Sequence, residues 1–222
     1  MNIKASTFEF LSALKENNNR EWFQANKADY DHAYSDVKNF VEELIAKLSV
    51  FDKHINTDIK SSKCMFRIYR DVRFAKDKSP YKSWLAAGIS IDGRKLGGPD
   101  CYVNIELGKR FVADGYWQPK KSHLAAIRQE IDYDFESFEE TLKLADGELN
   151  DLSQEDKLKR PPAGYSLDNP AIEILKLKSF IILKPISDRD MVRAFALEHI
   201  TEMFQHTLPF KDFLHLAIEG IE

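Results

Sequence analysis

The residues Cys101-Tyr-Val-Asn-Ile-Glu-Leu-Gly-Lys-Arg-Phe-Val-Ala113 contain two short apolar segments separated by Gly108-Lys109. Alternation of apolar and polar residues predicts strands over 101–107 and 110–113, because successive side chains of a strand point to opposite faces. Two strands joined by so short a turn run antiparallel. This part of the chain therefore predicts an antiparallel sheet.

Further strands are predicted on both sides of this hairpin. The candidates are 64–70, 85–91 and 179–183, and the glycine-rich residues 92–99 form a long hairpin loop between two of the strands. The loop is not a phosphate-binding loop, since it connects strands and does not open a helix. The sheet is thus predicted to have about five strands.

Helical patterns flank the strands. A first helix begins near Ser6, which is predicted to cap it in a capping-box pattern with Glu9, and a longer helix covers about 21–48, with a kink or break within it. Later helices are predicted at about 121–131, at 134–145, in a short segment ending at Leu175, and from Ser187 to Ile218 with a break near Pro209. Helices before and after a run of strands are typical of an α+β fold. We predict one domain over residues 1–222, with long N- and C-terminal helices packed on the sheet.

Composition indicates an ordinary globular protein. The 222 residues are 43% hydrophobic and carry a formal net charge of −4. No apolar run approaches the ~20 residues of a membrane-spanning helix, and a cytoplasmic location with no membrane partner is predicted. Cys64 and Cys101 lie in apolar surroundings without metal-ligand spacing, which favours buried free thiols over a disulfide.

Residues 60–82, here called the basic segment, reverse the charge of the chain. They hold eight Lys or Arg against two Asp, a net charge of +6, so the rest of the chain carries −10. Such a concentration of positive charge repels itself unless carboxylates elsewhere in the fold or an anionic ligand neutralise it. The basic segment is therefore the first candidate for a functional site.

Strand alternation through this segment separates two sets of side chains. Phe66, Ile68, Arg70, Val72 and Phe74 would share one face, which is apolar except for Arg70. The opposite face would carry Arg67, Tyr69, Asp71 and Arg73. Two arginines beside an acid and a tyrosine suit recognition of an oxyanion, because the guanidinium group makes two-point contacts with phosphate or carboxylate.

We therefore predict binding of a small phosphate- or carboxylate-bearing ligand. Arg67 and Arg73 would grip the anion and Asp71 would align an arginine. The other predicted ligand contacts are Arg70, Lys78, Tyr81 and Lys82. If the protein is an enzyme, Asp71 and Tyr69 are the candidate proton-transfer groups, Asp71 as a base if burial raises its pKa.

Two alternatives stay open at this point. In the first, Arg67, Arg70 and Arg73 pair with acids from the strongly negative remainder of the chain, so that the motif is an internal ion-pair network in a non-catalytic interaction module, a pattern that looks the same in sequence. Aromatic residues between the cations also suit single-stranded nucleic acid, with an affinity that falls steeply with salt. A sequence pI of about 5.9 argues against a protein that coats nucleic acid.

The same residues resemble a known family. The pattern Arg67-x-Tyr-Arg-Asp-x-Arg-Phe-x-x-Asp-Lys-x-Pro-Tyr-Lys82 is similar to the signature of a bacterial family known as domain of unknown function 2461. Similar patterns run from Asn18 to Tyr30, from Tyr102 to Pro119, and through Pro162-x-Gly-Tyr165. The resemblance implies a single cytosolic α+β domain with no assigned activity or cofactor.

No metal or cofactor site is predicted. His199, Glu202 and His206 share one side of a predicted helix, a spacing that metal sites in helical bundles use. Such sites need matching ligands from a second helix, and the sequence contains no second Glu-x-x-His or His-x-x-x-His pattern. An exposed helix face is the favoured interpretation.

Overall fold

The structure is a computed structural model that describes residues 1–91, 93–94 and 97–221. Its fold is α+β, as predicted. The helices are α1 Ala5–Glu16, α2 Arg20–Ala25, α3 Lys27–Leu48, α4 Ser61–Cys64, α5 Lys121–Tyr133, α6 Phe135–Leu144, α7 Ile172–Leu175, α8 Asp188–Met191 and α9 Ala196–Ala217. The strands are β1 Leu85–Ile89, β2 Asp100–Ile105, β3 Phe111–Tyr116 and β4 Phe180–Pro185.

The four strands form one antiparallel sheet in the order β1-β2-β3-β4. Three consecutive strands are hydrogen-bonded neighbours, as their short connections require. Glycine is required at 115 in β3, where φ is 131° and a Cβ atom would lie 2.1 Å from the carbonyl oxygen of Phe180. The predicted sheet differs only in having four strands where about five were expected.

The chain divides into two compact units, and a single domain over residues 1–222 stays a prediction. Unit 1 comprises residues 1–94, 102–112 and 185–202. Its core includes the facing apolar residues of α1 and α3, which share near-complete burial: Phe8, Leu11, Leu14, Val37, Phe40, Val41, Leu44 and Leu48. These residues recur at helical spacing, which is why the sequence predicts both helices.

Unit 2 comprises residues 95–101, 113–184 and 203–222. One hydrophobic cluster fills it, with side chains from α5, α6, β4 and the second half of α9: Ile127, Ile131, Phe138, Leu142, Phe180, Ile182, Phe210 and Leu214. Asp134 caps α6 by accepting a hydrogen bond from the backbone N–H of Ser137, at 3.0 Å. The cap fixes the start of the helix that carries Phe138 and Leu142 into this core.

Three sequence predictions about local structure are wrong. Residues 64–70 are not a strand, because α4 ends at Cys64 and only Met65 and Tyr69 make isolated antiparallel bridges, to Ala87 and Tyr81. The polar groups at 70–79 bond to one another locally, which leaves no regular ladder. Phe74, predicted on the apolar face, is consequently 97% exposed.

The other two errors concern helix ends. Ser6 does not cap α1, since the helix already begins at Ala5 and its N-cap residue is Lys4. Pro209 does not break the last helix, since α9 is continuous from Ala196 to Ala217. Proline removes one backbone donor, and the burial of Phe204 and Phe210 on either side keeps both turns packed. The break in the helix predicted from Ser187 to Ile218 lies instead at 192–195, between α8 and α9. The predicted break in the earlier helix is confirmed at Asn26, between α2 and α3.

None of the helices within residues 1–91, 93–94 and 97–221 combines the length and apolar character that crossing a membrane requires.

Candidate functional site

The N-terminal segment before α2 holds the end of the basic segment in place. The Asn18 side chain donates to the carbonyl oxygen of Tyr81 at 2.9 Å and accepts from the N–H of Tyr81 at 3.1 Å. Next to this contact, the Phe23 ring stacks on the Tyr81 ring with centroids 4.0 Å apart and planes 14° apart. Phe23 is fully buried and Tyr81 is 3% exposed. The segment around Asn18 and Phe23 therefore packs directly against Tyr81, which is 63 residues later in the chain than Asn18.

Tyrosines surround this stack. The Tyr30 ring lies 5.1 Å from Phe23, and the Tyr69 ring lies 5.5 Å from Tyr81. Burial, together with Tyr34 and Tyr69, raises the pKa of Tyr30 to about 12. Burial also raises the pKa of Tyr81, and this rise is partly opposed by the nearby guanidinium of Arg20. The hydroxyl groups of Tyr30 and Tyr81 therefore stay protonated at neutral pH and are able to donate hydrogen bonds.

Two arginines of the basic segment are neutralised locally. Arg73 donates to both carboxylate oxygens of Asp71, from Nη2 at 2.7 Å and from Nε at 3.0 Å. Arg70 pairs with Asp77, which also accepts hydrogen bonds from Ser79. Hydrogen bonds from Arg73 lower the pKa of Asp71, and those from Ser79 and Arg70 lower the pKa of Asp77. Asp71 was predicted to act as a base only if burial raised its pKa. This condition is not met, because the Asp71 carboxylate is exposed and forms an ion pair with Arg73.

Lys78 completes a self-contained loop. Its ammonium group donates to the carbonyl oxygens of Val72 at 2.9 Å and Arg73 at 3.4 Å. Two ion pairs and the Lys78 ammonium group therefore stabilise the conformation of the loop formed by residues 70–79. Phe74 lies in this loop and is exposed. Arg70, Arg73 and Lys78 of the predicted site thus make intramolecular contacts, as the alternative of an internal ion-pair network describes.

A different set of cations forms no salt bridge with a carboxylate among the described residues, although the charge of Arg67 helps to lower the pKa of Asp71. Arg67 makes no hydrogen bond or ion pair with any described residue. The Lys82 ammonium lies over the Trp84 ring at 4.4 Å and the Phe66 ring at 5.6 Å. Arg94 donates to main-chain carbonyl oxygens, that of Met65 at 2.5 Å among them. Within the described part of unit 1, none of these three cations forms a salt bridge.

Arg67, Lys82 and Arg94, here called the cation triad, share one electrostatic environment. Burial lowers the pKa of Lys82, and the positive charges of Arg67 and Arg94 lower it further. Like charges at this proximity destabilise one another, and an anion among them would relieve the repulsion. Lys95, predicted to extend a basic rim together with Arg94, lies outside the described residues, as do Asp92, Leu96 and Glu222.

We expect Arg73→Ala to leave the melting temperature essentially unchanged. The guanidinium of Arg73 is exposed to solvent, and its partner Asp71 is exposed too, so the pair gains little over hydration. Thermal unfolding followed by circular dichroism checks this. A fall of several degrees would identify the Arg73–Asp71 pair as a structural element that the fold depends on.

Unit 2 contains a polar cluster that the sequence did not predict. It comprises Asp100 and Cys101 at the start of β2, Asp114 in β3, and Thr207 and Lys211 in α9. Four of the five are at most 2% exposed, and Asp100 is partly buried. Asp114 accepts a hydrogen bond from Thr207 at 2.7 Å, and its other carboxylate oxygen lies 3.8 Å from the Lys211 ammonium.

Asp100 has a strongly perturbed pKa in this cluster. Burial and the neighbouring charge of Asp114 raise the pKa of Asp100 to about 8, although Lys211 opposes the rise. The signal in the sequence was the interruption of apolar patterns: Asp114 interrupts a strand, and Lys211 lies on the apolar face of a helix. A buried lysine requires a partner, and the structure supplies it from distant strands.

Histidines are not gathered into a metal site in the described part of the chain, where no group of three or more His, Cys, Asp or Glu side chains is arranged to hold a metal ion. His206 faces a carboxylate, with Nδ1 3.0 Å from Asp146, and both side chains are exposed. This surface histidine therefore contacts Asp146 and belongs to no metal-type cluster of the described residues.

A pocket in unit 1 lies apart from the predicted site residues. Its volume is about 270 Å³, and it is lined by Leu11, Ser12, Lys15, Glu16, Ser83, Glu106 and Leu107. One cation and two carboxylates give this lining no preference for an anion. The pocket does not strengthen the predicted anion site.

Comparison with known proteins gives one match. A family model with the description "Conserved hypothetical protein (DUF2461)" matches residues 6–213. No curated protein and no solved structure matches the chain. The match confirms the predicted family resemblance.

Proposed function

This chain belongs to the DUF2461 family, whose description names no activity, and we propose that it binds a small phosphate- or carboxylate-bearing ligand at the cation triad. The observation that carries the proposal is the convergence of Arg67, Lys82 and Arg94 without a salt bridge to a carboxylate among the described residues. The protein has more acidic than basic residues, with a formal net charge of −4, so carboxylates are numerous enough to pair with every cation. Asp77 and Asp71 pair with Arg70 and Arg73, whereas no carboxylate among the described residues forms a salt bridge with the triad.

The chemistry of the triad favours a compact oxyanion. Arg67 offers a planar fork of donors, and Arg94 adds a second guanidinium that main-chain carbonyl oxygens hold in place. The partly buried Lys82 adds a point charge whose pKa is already lowered by its neighbours. An anion would offset the repulsion between the three, so binding is expected to raise the pKa of Lys82.

The remaining predicted contacts take other roles in this proposal. Arg70, Arg73 and Lys78 shape the adjoining loop, and the hydroxyl group of Tyr81 is left as a donor for the ligand. Proton transfer by Asp71 or Tyr69 stays a prediction, and the low pKa of Asp71 argues for an orienting role. A cytoplasmic location likewise stays a prediction.

The test measures ligand affinity by isothermal titration calorimetry, with inorganic phosphate, pyrophosphate and citrate as probes. We expect Arg67→Ala to weaken binding of at least one probe about tenfold or more, since a charge-assisted hydrogen bond contributes roughly 1.5–3 kcal/mol. Arg73→Ala is the matched control, because it removes the same charge from the same segment but an arginine that is already paired. Its affinity should stay within about twofold of the unaltered protein, consistent with the small energies of exposed ion pairs.

Two outcomes would overturn the proposal: no binding of any probe, or equal losses in both variants, which would indicate a general effect of net charge. A third outcome separates the nucleic-acid alternative. Titration with single-stranded oligonucleotides at several salt concentrations would then give tight binding with a steep salt dependence, and the small anions would compete poorly.

A further inference from the structure

The polar cluster of unit 2 brings a cysteine and a lysine into direct contact. Lys211 Nζ donates to Cys101 Sγ over a distance of 2.9 Å, and both residues are only 1% exposed. Cys101 lies at the start of β2 and Lys211 lies in α9, 110 residues later in the chain. The contact therefore joins two elements of this unit that are far apart in sequence.

Neighbouring groups prepare this pair for chemistry at sulfur and nitrogen. A lysine ammonium beside a thiol favours the thiolate, which is the reactive form. Cys101 Sγ also lies 3.8 Å from Asp114 Oδ1, and Lys211 Nζ lies 3.8 Å from the same oxygen. Asp114 is fixed by Thr207 at 2.7 Å, so one immobilised carboxylate faces both reacting groups and is placed to accept a proton from either.

Cys64 offers a contrast within the same protein. It is a free, buried thiol in α4, and burial raises its pKa to about 11. Among the described residues it has no lysine within hydrogen-bonding distance, and the guanidinium of Arg94 affects it only through a weak opposing charge. Any oxidation that requires an amine next to sulfur should therefore occur at Cys101 and spare Cys64.

We propose that Cys101 and Lys211 form a covalent nitrogen–oxygen–sulfur bridge, with dioxygen as the oxidant. The S–H bond of the thiol and one N–H bond of the amine break, and an S–O bond and an O–N bond form. One oxygen atom enters the bridge, and the other leaves as water with the two hydrogens. Sulfur and nitrogen each lose two electrons, and dioxygen gains all four. A thiolate–ammonium pair holds the same number of protons, so the balance is identical.

The bridge would change both the covalent and the electrostatic structure of unit 2. It would tie the start of β2 to α9, and it would remove the positive charge that faces Asp114 and Asp100. Dioxygen is small and apolar enough to reach an interior pair, which larger oxidants cannot do readily. Reduction by a thiol would restore both side chains, as it does for other reversible cysteine oxidation products.

The experiment incubates the full-length protein in air-saturated buffer, denatures it without reductant, and counts reactive thiols. We expect one of the two thiols, Cys64, to react before reduction, and both to react after treatment with dithiothreitol. The intact mass should exceed that of the reduced protein by about 14 Da, one oxygen gained and two hydrogens lost, and tandem mass spectrometry should find peptides linked between Cys101 and Lys211.

Variants separate the bridge from other products. Lys211→Arg keeps the charge but lacks the amine, so both thiols should react without reductant. Cys64→Ser should keep the 14 Da difference and show no reactive thiol until reduced, which a Cys64–Cys101 disulfide could not do. If Lys211→Arg does not fold, the native protein purified without oxygen serves instead, with two reactive thiols expected. Two reactive thiols in the air-exposed native protein, or oxidised Cys101 that is not linked to Lys211, would overturn the proposal.

Discussion

Replacing Phe23 by alanine is expected to lower the free energy of unfolding by about 3–5 kcal/mol. The Phe23 ring is fully buried and packs face to face on Tyr81, with further ring contacts to Tyr30 and Tyr69. Truncation removes the buried ring and leaves a cavity that these rigid aromatic neighbours cannot fill. Urea unfolding followed by circular dichroism gives the free energy directly.

Phe74→Ala is the matched control for this substitution. It makes the same change of side chain in the same part of unit 1, but Phe74 is 97% exposed, and its loss should change stability by no more than about 0.5 kcal/mol. A loss of less than about 1 kcal/mol for Phe23→Ala would contradict its role in holding the segment around Asn18 and Phe23 against Tyr81.

The fold was predictable wherever buried side chains recur in the sequence with the period of a helix or a strand. The hairpin of β2 and β3 is readable because apolar residues alternate on both sides of Gly108, and α3 is readable because Val37, Val41 and Leu44 recur at helical spacing. The strand predicted over 64–70 failed for a physical reason. Alternation continues there in the sequence, but Cys64 ends a helical turn, and residues 65–70 pair with the chain only through isolated bridges at Met65 and Tyr69.

The candidate site was predictable in location but not in composition. Charge reversal located the basic segment. The sequence does not show, however, which of its arginines contacts an acid in the folded structure. Arg73 and Arg67 look equivalent along the chain and differ only in their partners. The polar cluster of unit 2 was missed because its members come from residues 100–114 and 207–211, and no local spacing connects them.

Asp100 is expected to make the stability of the protein decrease as pH rises from about 4 to 8. Its pKa in the folded protein is about 8, whereas in the unfolded chain a carboxyl group of aspartate titrates near 3.9. Between these values the folded state keeps a proton that the unfolded state releases. The free energy of unfolding therefore falls with rising pH, by up to about 1.4 kcal/mol per pH unit for one proton. Below pH 4 both states are protonated and above pH 8 both are ionised, so this contribution is then constant.

Asp100→Asn isolates this contribution because the amide has a similar shape and does not ionise. Urea unfolding of both proteins from pH 4 to pH 9 should show the variant gaining stability relative to the native protein up to about pH 8 and no further, since over that range unfolding releases the Asp100 proton of the native protein and the Asn side chain has no such proton to release. Asp168→Asn, which replaces an exposed carboxylate of the same unit, should give a difference that does not vary in this way. A difference between Asp100→Asn and the native protein that is constant across the range would mean that Asp100 is ionised in the folded state. Lys211 would then neutralise Asp100 as well as Asp114, and the cluster would hold two carboxylates on one buried ammonium.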